Sequence, residues 1–438
     1  MQTIVLKYAL NPTTSQVDTL SSHIGAVRYA YNWSIATVAA NWEAVRQDLA
    51  IPYMNISAYG LRKELNRVKD EVAPWWSENS KEAFATGTAN AAIAFKNWFK
   101  SRKGSRSGKS GFPKFKSRNH DTQTGIMFTT GTRRLEPDNR HFTLPTIGAV
   151  QLHEKAKTLR WLLQQGGVIA NVTVRKDGTR WFLIVNIKTE DSLVLQYFAG
   201  KQGKKARKSS VGIDVGLKVF LATSDGAFIE NPVFQRKALA KIRKANKRLA
   251  RRRKLNNRTG ETASARWDKA HQQLVRTHEK IRNQRTDFLH KISKQLVDDY
   301  QLIGVEDLHV AGMVKNKHLS RSIADASWGE FRRQLTYKSV WYGNELQVIP
   351  RFYPSSKMCS TCETVKATLS LSERIFSCDT CGLTIDRDVN AAMNIRKKAV
   401  AQSCGETLNE RGEESSGLVS TTGETILSET FRDNRLKS

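Results

Sequence analysis

At 438 residues the chain is too long for one typical hydrophobic core, and it is expected to divide into about two to four domains. Its 39% hydrophobic and 8% aromatic residues exclude wholesale disorder. Lys and Arg number 71 against 41 acids, a net charge of +30 that strains a compact chain unless a polyanion offsets it, which makes nucleic acid the leading partner. An anionic membrane is the competitor, but no stretch approaches the ~18 apolar residues of a spanning helix. The start, MQTIVLKYALNP, lacks a signal peptide's long apolar region. An intracellular, cytoplasmic protein without membrane attachment is expected.

Residues 3–10, TIVLKYAL, read as a strand closed by Asn11-Pro12. From Thr14 to about Trp98 apolar residues recur three and four apart, the pattern of a small helical bundle. No acid occurs from Ala83 to His120, and FKNWFKSRKGSRSGKSGFPKFKSR interleaves bases with Phe95, Trp98, Phe99, Phe112 and Phe115. A solvated linker is the bland reading of such a run. Rings that stack on bases beside cations that hold phosphates are the sharper one, with Lys100, Arg102, Lys103, Arg106, Lys114 and Lys116 as candidate contacts. Residues 125–190 alternate and are broken by turns, and Asp177-Gly178 between two alternating runs is a strong hairpin signal, so a β-barrel or sandwich is expected. The run 199–210, AGKQGKKARKSS, reads as a linker.

The second half opens with VGIDVGLKVFLATSDGAFIE, a meander of three strands, the first ending near Asp214. RKALAKIRKANKRLARRRKLNNR then carries twelve bases and no acid, and Arg248, Arg251, Arg252 and Arg253 are its candidate phosphate contacts. A long helix from about Ala263 to Tyr300 leads into a buried strand, YQLIGVEDL, with Glu306 near its end. An amphipathic helix over 326–344 and the strand ELQVIP follow. After a cysteine array comes the helix DRDVNAAMNIRKKAV, and beyond residue 400 the composition turns polar and acidic, as in a flexible tail.

Cys359-x2-Cys362, fifteen residues, then Cys378-x2-Cys381 is zinc-ribbon spacing, and Cys404 is left as an inert tail thiol. Four thiolates close a zinc ion's coordination sphere, so a structural Zn²⁺ is expected rather than a catalytic one. Three acids of the second half end or begin buried elements: Asp214, Glu306 and Asp388. Each has a bland reading, as a turn residue, a first-turn acid or a helix cap. Asp214 lies between Gly212 and Gly216, which would leave room for a phosphate backbone to approach. Together, in so basic a chain, three carboxylates suit two Mg²⁺ ions and phosphodiester hydrolysis.

GIDVGLKVFLATSDG, LIGVEDL and the CxxC...CxxCGLTIDRDVNAAMNI run together resemble the split RuvC nuclease motifs and inserted zinc ribbon of the TnpB family, transposon-encoded RNA-guided endonucleases related to miniature type V CRISPR effectors. GAVRYAYNW and AFKNWFKSRKG...GFPKFKSR are similar to that family's helical recognition segment. The resemblance implies a multidomain α/β fold: an N-terminal β-barrel with a helical insertion, then an RNase H-like (RuvC) nuclease domain with an inserted zinc ribbon. The implied boundaries are 1–11 (first barrel strand), 12–118 (helical recognition domain), 119–205 (barrel remainder), 206–354 and 386–400 (nuclease domain), 355–385 (zinc ribbon) and 401–438 (tail). It implies Asp214, Glu306 and Asp388, rather than Asp386, as the Mg²⁺-binding catalytic triad, and Cys359, Cys362, Cys378 and Cys381 as zinc ligands. Guide RNA and double-stranded target DNA are the implied partners. Glu363 departs from the pattern, standing where the family usually has glycine. The competing readings are an RNA-guided binder without cleavage, a transposase, a guide-independent nuclease or resolvase, and a CRISPR effector with the same chemistry.

Overall fold

The computed structural model describes residues 2–106, 108–117, 124–199, 206–252, 264–370, 372–405 and 425–428. The chain divides into two compact units, residues 1–190 with 422–438, and residues 191–421.

The first unit begins with β1 (Gln2–Leu10), followed by three helices, α1 (Thr14–Gln47), α2 (Ala58–Val72) and α3 (Lys81–Arg102). Pro12 ends the strand's hydrogen bonding, and Thr13 caps α1 in a reciprocal box with Gln16. Tyr31, Ile35 and Val38, at helical spacing on α1, bury against Leu61 of α2 and Ala91 and Phe95 of α3, so the apolar periodicity does form a bundle. Beyond it lie β2 (Gly125–Phe128), β3 (Arg134–Leu135), β4 (His141–Leu144), β5 (Gly148–Gln151), α4 (Lys157–Gln164), β6 (Val168–Asp177) and β7 (Arg180–Thr189). The Asp177-Gly178 signal marks a hairpin, with Asp177 paired to Arg180 and Gly178 at φ 62°.

The expected closed barrel is not found among the described residues. β1, β7, β6 and β2 form an open sheet, and β3, β4 and β5 a separate one. The free edge of β2 meets a helix instead of a strand. The Met127 amide donates to Thr86 Oγ1 of α3 at 3.1 Å, and the Thr130 amide donates to the buried Glu82 carboxylate at 3.0 Å. Side chains of α3 thus satisfy edge groups that a closing strand would have paired.

The second unit holds α5 (Asp191–Ala199), β8 (Lys208–Val215), β9 (Val219–Thr223), β10 (Phe228–Glu230), α6 (Phe234–Ala250), α7 (Ala265–Asp299), β11 (Tyr300–Glu306), the short helices α8 (Val310–Met313) and α9 (Ser320–Ala326), α10 (Trp328–Tyr342), β12 (Glu345–Ile349), the hairpin β13 (Ile375–Ser377) and β14 (Thr384–Asp386), and α11 (Arg387–Ser403). Its main sheet has the order β10-β9-β8-β11-β12, antiparallel through the meander and parallel from β8 onward. Ile213, Val305 and Ile349 are buried along it, and Phe220 of β9 meets Phe288 of α7 and Phe331 of α10 edge to face.

The closest packing is made by α11. Gly212 of β8 and Gly304 of β11 lie side by side, and a Cβ on Gly212 would fall 2.0 Å from the Ala392 carbonyl oxygen. One on Gly304 would fall 2.7 Å from Ala399 Cβ. The paired glycines let the helix backbone rest on the strands. The room beside Asp214 that the sequence assigned to a phosphate is therefore filled by α11.

Of the expected linker 199–210, residues 200–205 lie outside the described residues and 208–210 open β8. The last helix runs through Ser403, and 425–428 forms β15 (Thr425–Ser428), parallel to β1. Cys404 and Gly405 end the helix in a turn, and residues 406–424 and 429–438 of the expected tail lie outside the described residues.

Candidate active site and metal centre

Asp214 is the penultimate residue of β8 and Glu306 the last of β11. Side chains alternate along a strand, so each points to the same face as the glycine two residues before it, the face that α11 covers. Gly212 and Gly304 are in register, and the two acids follow them on neighbouring strands. Asp388 is the second residue of α11, one helical turn, about 6 Å, before the Ala392 carbonyl that rests on Gly212. Two strand ends and one helix start therefore place the three acids near enough to act on one another's charge, although among the described residues only the four cysteines already have their ligand atoms gathered as for a single ion.

The electrostatics agree with that placement. Burial, and then the charges of Glu306 and Asp388, push the Asp214 carboxyl well above its ordinary range, with Arg387 opposing. Burial also raises Glu306, against a hydrogen bond from Ser355 Oγ. Asp388 receives Arg387 Nη2 at 2.9 Å and lies 3.9 Å from Arg374 Nη1.

Asp386 has a different task. It is the N-cap of α11, accepting from the amides of Asp388 at 2.9 Å and Val389 at 3.2 Å. The capping role considered for Asp388 belongs to Asp386, and the Asp388 carboxylate is left to the cluster. Asp307, beside Glu306, is held by Arg332 and by Arg351 Nη2 at 2.5 Å.

The four cysteines converge. Their sulfurs all lie within 4.8 Å of one another, with Cys359–Cys381 at 3.6 Å and Cys362–Cys378 at 3.5 Å. A tetrahedral zinc with bonds near 2.3 Å would set its sulfurs about 3.8 Å apart, whereas a disulfide needs about 2.05 Å, so the set fits a zinc ion and excludes bridging. Each pair sits on a matching turn. The Glu363 amide donates to Cys359 O at 3.0 Å, and the Gly382 amide to Cys378 O at 2.9 Å. Gly382 has φ 75°, natural for glycine, but Glu363 is held at φ 62°. The insert's small core is Cys359, Phe376 and Cys378.

The basic candidates divide. Lys100, Arg102, Lys103, Arg106, Lys114, Arg248, Arg251 and Arg252 are exposed, whereas Lys116 donates from Nζ to Thr124 Oγ1 at 3.2 Å and lies 4.9 Å from the Tyr31 ring centre. Arg253 lies outside the described residues. Lys244, Lys247, Arg248, Arg251 and Arg252 line one concavity of about 510 Å³. Lys244 and Lys247 were not singled out from the sequence, although the 244, 247/248, 251/252 spacing lines them up along one face of α6 and the turn that ends it. Of the interleaved rings only Phe95 is buried, and Phe99 and Phe112 stay exposed although they join the same ring cluster. Trp42, Phe95, Trp98, Phe99 and Phe112 pack on one another, with centroids 4.8 to 6.1 Å apart, and Phe115 stays exposed.

The class so defined is a multidomain α/β protein with a zinc-type four-cysteine insert, and among the described residues no helix is long and apolar enough to cross a membrane. Family models match three segments: OrfB_IS605, described as "Probable transposase", at residues 185–317; "Cas12f1-like, TNB domain" at 328–395; and "Helix-turn-helix domain" at 1–47, which here holds one strand and one unbroken helix. A protein named "Putative RNA-guided DNA endonuclease Rv2885c" from Mycobacterium tuberculosis is 35% identical, covering 89% of this chain and 85% of its own. One named "Putative RNA-guided DNA endonuclease" from Streptomyces pristinaespiralis is 34% identical over 93% and 92%. The solved structure of the Cas12f1-sgRNA-target DNA complex aligns at 16% identity and TM-score 0.48, covering 87% of this chain and 82% of that one. The chain belongs to the TnpB family.

Proposed function

We propose that the chain is an RNA-guided DNA endonuclease that hydrolyses phosphodiester bonds of guide-matched double-stranded DNA at Asp214, Glu306 and Asp388. The observation that supports this reading is that Glu306 and Asp388, from distant parts of the chain, lie near enough to raise the Asp214 carboxyl by repulsion in a protein of net charge +30. A folded chain tolerates such a cluster when a cation is its natural occupant.

The donor set is all carboxylate oxygen, which suits Mg²⁺, and Asp214, Glu306 and Asp388 would hold two such ions. Bound there, they supply an activated water and charge stabilisation at the leaving oxygen. Asp214 and Glu306 are half-buried, which lowers the water content around the carboxylates while leaving them reachable, and Arg387 and Arg374 hold the Asp388 side chain. The meander followed by two parallel strands supports an RNase H-like (RuvC-type) domain. A Zn²⁺ on Cys359, Cys362, Cys378 and Cys381 would be structural, its sphere closed by thiolates.

The relatives' names support guide RNA and target DNA as partners. The exposed bases Lys100, Arg102, Lys103, Arg106 and Lys114, and the α6 group Lys244, Lys247, Arg248, Arg251 and Arg252, would hold their phosphates. The test is cleavage of matched and mismatched DNA by the chain with a supplied guide and Mg²⁺. Matched DNA alone should be cut, and Asp214→Asn, Glu306→Gln and Asp388→Asn should each abolish cutting while guide-directed DNA binding persists. Cutting that ignores the guide, or survives Asp214→Asn, refutes the proposal.

A further inference from the structure

We infer that Ser355 is a positioning residue for Glu306, and that the cysteine insert reaches the carboxylate cluster through it. This rests on reading Glu306 as a metal ligand, and it adds a residue and a coupling that the cluster alone does not contain. The loop from Pro350 to Met358 joins β12 to the first cysteine. Within it Ser355 is buried and donates its hydroxyl to Glu306 Oε1. Its own carbonyl accepts from Asn394 Nδ2 of α11 at 2.8 Å.

The same asparagine face reads the loop twice more. Asn394 Nδ2 also reaches Met358 O at 2.6 Å, and Asn390 Nδ2 reaches it at 2.7 Å. Asn390 Oδ1 accepts from the Ser360 amide at 2.9 Å. Asn390 and Asn394 are one turn apart and fully buried, so they clamp the backbone on both sides of Cys359. The helix that carries Asp388 in its first turn therefore grips the segment that steers Glu306, and that segment ends at a thiol of the zinc-type cluster.

A half-buried glutamate such as Glu306 has several rotamers, and a cation needs one of them. The Ser355 hydroxyl fixes one carboxylate oxygen and leaves the other for the ion, as hydrogen-bonding partners of metal-binding carboxylates do elsewhere. A residue that merely filled space would matter to folding and leave cation affinity alone.

The probe is Mn²⁺, titrated into the purified full chain and followed by the electron paramagnetic resonance signal of the free ion. Ser355→Ala should keep about one zinc per chain and a cooperative unfolding transition, yet bind Mn²⁺ roughly tenfold more weakly. Ser355→Thr, which keeps the hydroxyl, should restore the affinity. Asn394→Ala, which leaves every thiol in place, should weaken Mn²⁺ binding in the same direction. In cleavage, the Mg²⁺ concentration for half-maximal rate should rise in Ser355→Ala, with guide-directed DNA binding unchanged and the rate recovered at saturating Mg²⁺. Parental Mn²⁺ affinity in Ser355→Ala, alongside a loss in Glu306→Gln, overturns the inference and spares the carboxylate reading. Parental affinity in Glu306→Gln removes that reading, and the inference falls with it. If Ser355→Ala sheds its zinc, Ser355→Thr decides: parental zinc with parental Mn²⁺ affinity supports the role, and parental zinc with weakened affinity refutes it.

Discussion

Replacing Gly212 by alanine should separate the acids without altering any of them. The added methyl would sit 2.0 Å from the Ala392 carbonyl oxygen, 2.4 Å from the Arg396 amide nitrogen and 2.9 Å from Arg396 Cβ. Two of those atoms are helix backbone and cannot rotate aside, so α11 must recede by roughly 1 Å or more, at a cost of about 1–3 kcal/mol. The strand cannot yield in its place, because β8 is paired to β9 on one side and β11 on the other. Asp388, one turn from the contact, moves with the helix, and a shift of that size at a reacting group costs on the order of 100-fold in rate. The control is Gly226→Ala, in open space but at φ 82°, where only the left-handed backbone penalty of about 1–2 kcal/mol applies. Urea unfolding and cleavage of guide-matched DNA distinguish the two. Gly212→Ala should lose both stability and about 100-fold in cleavage, and Gly226→Ala stability alone. Cleavage by Gly212→Ala within threefold of the parent would show that the α11 contact does not set the position of Asp388.

Cys378→Ser should drop the zinc content from about one per chain to well below one, measured by atomic emission, and expose the core that Cys378 shares with Cys359 and Phe376. Glu363→Gly relieves a left-handed backbone worth about 1–2 kcal/mol, but adds glycine's greater entropy loss on folding and removes an exposed 3.5 Å pair with Lys397, so a net gain below about 1 kcal/mol is expected in thermal unfolding. A net loss would contradict the strain. Lys338 is buried, and desolvation followed by the nearby Lys294 cation lowers its pKa to about 7, with Asp298 opposing. The penalty for its charge is full below about pH 7 and fades as pH rises toward the ordinary lysine value, so the parent should gain stability over that window. Lys338→Met should flatten the rise and exceed the parent at pH 6. Parallel stability curves would show that Lys338 does not titrate there.

Local signals made much of the fold legible. Turn chemistry and alternation marked β1, the β6–β7 hairpin and the β8–β10 meander, and helical periodicity marked α1, α7, α10 and α11. What stayed hidden depends on partners far away in sequence. The fate of β2 is decided by Glu82 and Thr86, about forty residues earlier, and nothing in GIMF announces that its edge will meet a helix. The helix α5 escaped because DSLVLQYFA follows directly on a strand, and its reason to form is tertiary: Phe198 stacks on Trp341 at 4.6 Å.

The candidate site divides along the same line. Each acid could be seen to end or begin an element, but choosing between Asp386 and Asp388 requires knowing where α11 starts, and the cap geometry supplies that. Gly212 was visible as a gap, and only the helix across it shows what the gap holds. Ser355 carried no signal, since a serine in a loop before a cysteine has many uses. The chain enters the cysteine insert after β12 and leaves it into α11, and a contact to the carboxylate cluster sits at each junction: Ser355 on Glu306 at the entry, Asp388 itself at the exit. A four-cysteine insert with both ends fixed in this way constrains where two of the three acids sit. The third, Asp214, belongs to the strand on which the returning helix rests, so each acid is placed by a contact that α11 makes or anchors.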